Sequence, residues 1–148
     1  MLYALRIIFG LAFCLQAHGK TEMHVLVSFS MPVDTIVALA NSAEKIGARL
    51  AIRGLVDGDF KSTGLMVSKV SHKSGAGLDI NPELFSKVGA KSVPCFVLVD
   101  SKIDGSIKAF DKVSGNVTLD YALEQISKRG ELSDDARELL KKLRAGNV

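Results

Sequence analysis

The chain has 148 residues, 47% of them apolar and 24% charged, which suits one globular domain with its own core. Aromatic residues make up only 6% and there is no Trp, which argues against an aromatic binding platform. The formal net charge of +3 is too small and too scattered for a nucleic-acid surface, and the densest basic stretch, Lys141, Lys142 and Arg144, closes a helix that begins with acidic residues.

The first 19 residues read as an export signal. Arg6 gives a positive start, residues 7–15 form a short apolar core, and Ala17 and Gly19 place small residues before a cut at Lys20. The apolar run is too short for an ordinary membrane span, so no stable span is expected after cleavage. A retained N-terminal anchor and lipidation at Cys14 are the competing readings. Export points to a bacterial periplasm. Cleavage removes Cys14 and leaves Cys95, which then has no intramolecular partner. In an oxidising compartment such a thiol is buried, reactive or paired between chains, and its apolar neighbours, residues 96–99, favour burial.

Val25, Leu26, Val27 and Phe29 predict a buried parallel strand. Ser30, Met31 and Pro32 turn the chain into a helix on which Ile36, Leu39, Ala40, Ala43 and Ile46 recur at helical spacing, with Gly47 as its stop. Residues 50–55 supply a second strand and complete a βαβ unit. Residues 56–59 read as a turn, 60–70 as a helix weakened by Gly64, and 71–77 as a mobile loop without a hydrophobic anchor. Gly75 and Gly77 make no phosphate cradle, since no G-x-x-x-x-G-K-[ST] follows a strand. Residues 78–81 are short and alternating. Asn81 caps a brief helix with Pro82 in its first turn and Leu84, Phe85 and Val88 inward. Residues 95–99 form a strand entered through Val93 and Pro94, and Asp104-Gly105 turns it into an antiparallel partner over 106–110. Helices over 117–128 and 133–143 close the chain.

That order predicts an α/β, thioredoxin-like three-layer fold: a mixed four-stranded sheet flanked by helices, with no CxxC motif. The expected division is a signal peptide over 1–19, the thioredoxin-like domain over 20–130 and a C-terminal helix and tail over 131–148. In that layout Val93-Pro94 is a cis peptide beside the N-terminus of the first helix.

Four motifs then stand in register: V-S-F-S-M-P over 27–32, R-G-L over 53–55, N-P-E-L-F over 81–85 and V-P at 93–94. Together, across about residues 24–128, the chain resembles the TrbC family of F-type conjugative pilus assembly proteins. The resemblance implies an exported, thioredoxin-fold protein that acts in building the type IV secretion apparatus and its pilus alongside TraW-type partners. It implies no shared catalytic activity. Cys95 stands where a Thr is more usual.

A thioredoxin thiol is activated at a helix N-terminus and needs an exposed attacking sulfur. On the expected alignment Ser30 and Val33 occupy the two sulfur positions, so the exchange chemistry is missing. Ser30 is expected to cap the helix or bond locally, and nothing in the sequence places His24 or His72 beside it as a base. The isolated histidines give no metal-ligand spacing, and neither a metal nor a cofactor is expected. Arg53, at the end of the second strand, is either paired with a carboxylate or turned toward a partner. The partner-binding candidates are Phe29, Ser30, Met31, Pro32, Arg53, Val93, Pro94 and Cys95, forming a groove that binds an extended chain without reacting. The competing function is a periplasmic thiol-dependent oxidoreductase or redox-coupled chaperone working through Cys95. An unrelated secreted binding module is the third.

Overall fold

The computed structural model describes residues 19–146; the expected export signal and Cys14 therefore lie, save for Gly19, outside the described residues. Strand β1 (Lys20–Val27) leads into helix α1 (Val33–Ile46) and strand β2 (Arg49–Ile52). A short 3-10 turn (Val56–Gly58) precedes α2 (Phe60–Ser74), β3 (Leu78–Ile80) and α3 (Pro82–Lys87). The hairpin β4 (Cys95–Ser101) and β5 (Ile107–Ser114) follows, then α4 (Leu119–Arg129) and α5 (Ser133–Ala145).

The sheet has five strands in the order β3-β2-β1-β4-β5, not four. β1, β2 and β3 run parallel, and β4 and β5 join antiparallel. The fifth strand is β3, which falls on the alternating stretch read over 78–81 but is only three residues long, too short to be counted as a strand from sequence. Backbone bonds hold it from both ends, Leu50 N–H to the Gly77 carbonyl at 3.0 Å and Asn81 N–H to the Ile52 carbonyl at 2.9 Å. Arg49 adds a fork to Asp79, with Nε and a terminal nitrogen 2.6 and 2.7 Å from the two carboxylate oxygens. Both side chains are about half exposed, so the fork fixes register more than it adds stability.

Successive strand side chains point to opposite faces, which divides the core in two. Val25, Val27, Leu50, Ile52, Phe96 and Leu98 pack against α1, α4 and α5. Leu26, Ala51, Cys95, Val97 and Val99 pack against Leu84, Phe85 and Val88 of α3 and its exit. Helix α1 ends as expected: Gly47 sits at φ 72 and Ala48 donates to Ala43 at 2.9 Å. Asn81 caps α3 through Leu84 N–H at 3.0 Å.

Several boundaries differ from the sequence reading: β2 stops at Ile52 rather than 55, and β5 runs on to Ser114 rather than 110. β1 starts at Lys20 and stops at Val27, because Met31 N–H already bonds the Ser28 carbonyl at 2.9 Å and turns the chain. The expected loop over 71–77 is helical as far as Ser74. Ser74 Oγ bonds the Val70 carbonyl at 2.9 Å and accepts from Ala76 N–H at 3.3 Å, and Ala76 is the buried anchor that the sequence reading missed.

Helices α4 and α5 meet over a tight corner. Asp111 of β5 accepts from Glu131 and Leu132 N–H at 3.1 and 2.7 Å, while Arg144 forks onto Asp120 at 2.8 Å through two nitrogens. A Cβ on Gly130 would stand 2.6 Å from an Asp111 oxygen and 2.7 Å from the Ile126 carbonyl oxygen. Gly130→Ala is therefore expected to destabilise by about 1–3 kcal/mol, read as a lower urea midpoint.

Candidate functional site

The parallel strands β1 and β2 end side by side, and crevices beyond the carboxyl ends of such strands are the usual ligand sites of α/β sheets. Here they open into a cleft of about 720 Å³. Its walls are residues 27–30, 52–57 and 91–93, with Phe85 between them. Three loops thus build it: the turn into α1, the turn after β2, and the segment that enters β4.

Four of the eight candidate residues, Phe29, Ser30, Arg53 and Val93, line this cleft. Met31 does not line it; like Phe29 it packs against the larger core cluster, and Pro32 is exposed at the head of α1. Pro94 follows Val93 through a cis peptide and is buried. Cys95 lies behind the wall with 0% exposure, its sulfur accepting from the Ser114 hydroxyl at 3.2 Å. The buried reading of this thiol holds, because β1 and β5 flank it on either side.

Ser30 does not cap α1, which has Pro32 at its N-cap and no side-chain cap. Its hydroxyl lies 2.9 Å from that of Ser28, and its N–H donates to Ser28 Oγ at 3.2 Å. Among the described residues neither serine has an imidazole partner. His24 is on β1, where its Nε2 stands 3.7 Å from a Glu22 oxygen, and His72 is on α2. Among the described residues no three His, Cys, Asp or Glu side chains converge to hold a metal ion.

Among the described residues Arg53 pairs with no carboxylate. It lies over the Phe85 ring, 5.2 Å from the centroid, and donates to the Ala90 carbonyl at 2.6 Å. The ring and the carbonyl together hold a cation at the mouth of the cleft. The sequence reading placed Phe85 in the core without seeing this second use.

The wall over 54–57 was also missed. Thr63 of α2, itself buried, accepts from Val56 N–H at 2.8 Å and donates to the Asp59 carbonyl at 2.7 Å. Asp57 takes a left-handed φ of 50 within that turn, a conformation an Asp tolerates better than most residues. Thr63→Val keeps the shape but strands the Val56 N–H. It is expected to cost about 1–3 kcal/mol and to speed amide exchange over 54–58, measured by hydrogen exchange.

Burial holds the His24 imidazole below its ordinary pKa of 6.5, against the opposing pull of Glu22. The unfolded chain therefore binds the proton more tightly. Stability is full above pH 6.5 and falls as pH drops from there toward the lowered native pKa. Urea midpoints taken from pH 7.5 down to 5.5 are expected to decline, and His24→Gln to flatten that decline.

Residues 25–126 match the family described as type-F conjugative transfer system pilin assembly protein. A relative, periplasmic protein TrbC of Escherichia coli (strain K12), is 30% identical over 125 residues, 82% of this chain and 56% of the relative. The chain thus spans little more than half the length of that curated relative. The family match takes in every segment of the cleft, from Val27 through Val93. The chain belongs to the family of type-F conjugative transfer system pilin assembly proteins.

Proposed function

We propose that this chain is a non-catalytic periplasmic assembly protein of a type-F conjugative system. It acts in pilus assembly by holding partner polypeptides in the cleft at the ends of β1 and β2. Residues 1–19 serve as its export signal, and the partners are other transfer assembly proteins, TraW-like ones among them. The scaffold is a thioredoxin-like one without its sulfur pair, a reading supported by the parallel strands feeding α1 and by the cis bond before Pro94.

One observation carries the binding role. The cleft offers recognition groups and no reactive pair: Phe29, Arg53 and Val93 face it while the thiol of Cys95 is sealed behind it. Among the described residues the backbone N–H and carbonyl of Val93 make no hydrogen bond, so both remain to pair with an extended chain. Thiol exchange requires an accessible thiolate, which a fully buried sulfur does not supply.

Titration of the folded protein with a thiol reagent tests this directly. Cys95 is expected to stay unmodified without denaturant and to react fully in it, and the protein is expected not to reduce insulin disulfides. Rapid labelling of native Cys95 together with catalysed insulin reduction would refute the non-catalytic reading.

A further inference from the structure

The cleft carries two cations that the fold leaves unpaired. Neither Arg53 nor Lys91 comes within ion-pair distance of a carboxylate among the described residues. The one carboxylate on the same wall is Asp57, also without an ion-pair partner there, so the lining keeps one positive charge in excess. The lining mixes the hydroxyls of Ser28, Ser30 and Ser92 with the half-buried apolar side chains of Phe29, Leu55 and Val93.

Arg53 is already positioned. The Phe85 ring lies under it at 5.2 Å and the Ala90 carbonyl takes one of its hydrogens at 2.6 Å. A guanidinium held this way loses little further rotamer freedom on binding, and its remaining donors suit a carboxylate geometrically. Lys91 adds a second, exposed charge from the segment that leads to Val93.

We infer that the cleft selects an extended partner segment bearing an Asp or Glu side chain between apolar residues. The carboxylate meets Arg53 and Lys91, the apolar neighbours fill the space beside Phe29 and Leu55, and the partner backbone pairs with Val93. This rests on the cleft-binding reading above. A side chain within the segment is favoured over a chain terminus, because a strand that satisfies both the N–H and the carbonyl of Val93 continues past it in both directions.

The test is an NMR titration of the ¹⁵N-labelled protein with acetylated, amidated pentapeptides carrying Glu at the centre and Val or Leu at the flanks. The same mixture with Gln at the centre is the control. The Glu mixture is expected to shift the Val93 and Gly54 amides at about tenfold lower concentration than the Gln mixture, the preference a charge-assisted hydrogen bond confers. Arg53→Gln is expected to bring that ratio close to one, and Lys91→Gln, an exposed substitution that disturbs no internal contact, to reduce it about threefold. Equal binding of both mixtures would overturn the acidic preference and leave the cleft-binding reading standing. Equal success of the Gln mixture with a free C-terminal carboxyl would overturn the assignment to an internal side chain. Absence of any shift at Val93 with every mixture would overturn both readings.

Discussion

Phe85→Ala is expected to cost about 3–5 kcal/mol of folding stability and to abolish partner binding. Phe85 is 3% exposed, and α3, which carries it, has only six residues. The apolar cluster on that face of the sheet draws its members outside the strands from α3 and the residues just after it: Leu84, Phe85, Val88 and Ala90. So short a helix has little intrinsic stability and is held by what it buries. Removing the ring leaves a cavity within the cluster that also holds Leu26, Ala51 and Cys95, which the sheet cannot collapse to fill. A domain of this size has about 5–15 kcal/mol in total, so the loss is a large share of it. Phe85→Leu separates packing from recognition. It keeps most of the buried volume and is expected to cost under about 1.5 kcal/mol, but it removes the aromatic face beneath Arg53. Urea denaturation reads the first effect. Weaker partner binding by a Phe85→Leu protein that remains folded reads the second.

The second large effect falls on Arg53. Arg53→Ala is expected to weaken the complex with transfer-apparatus partners about 30-fold or more, the scale of an interface hot spot. Folding stability is expected to change by only about 1–2 kcal/mol, because Arg53 is exposed and gives up one hydrogen bond to the Ala90 carbonyl and its contact with the Phe85 ring. The asymmetry separates a recognition role from a structural one. A loss of stability as large as that of Phe85→Ala, with binding intact, would make Arg53 a strut of the α3–β4 segment. Arg53→Lys keeps the charge but not the fork, and is expected to recover only part of the affinity.

Much of this architecture is legible in the chain because local signals agree with one another. The spacing of Ile36, Leu39, Ala40, Ala43 and Ile46 marks the buried face of α1, and Gly47 ends it in the left-handed conformation that glycine favours. Asn81 and Pro82 announce α3, and Asp104-Gly105 announces the hairpin, where Gly105 takes φ 80. What escaped is what depends on distant partners. The alternation over 78–81 is too short to announce a strand by itself; β3 exists because Gly77 and Asn81 bond β2 and because Asp79 meets Arg49 thirty positions earlier. The last turn of α2 looked like a loop because its anchor, Ala76, is apolar only in the weakest sense, yet it is buried against the core.

The cleft was half visible for the same reason. Phe29, Ser30, Arg53 and Val93 flank the ends of apolar runs, and the ends of parallel strands are where α/β sheets gather function. Cys95 sits beside those residues in sequence but points into the core through alternation along β4, and Met31 packs against the core from the turn that precedes α1. Lys91, Asp57 and Phe85 were missed as site residues because their place in the wall is set by how two loops and a short helix converge. Thr63 was missed because a buried hydroxyl that ties a turn to a helix carries no sequence pattern.

The most direct test of the central claim is site-specific photo-crosslinking in cells that are assembling the pilus. A photoreactive amino acid at Val93, on the wall of the cleft, is compared with one at Tyr121, which is 47% exposed on α4 and does not line the cleft. Crosslinks to another transfer protein from position 93, absent from position 121 and diminished by Arg53→Ala, are the predicted result. Partner crosslinks from position 121 with none from position 93 would contradict the account.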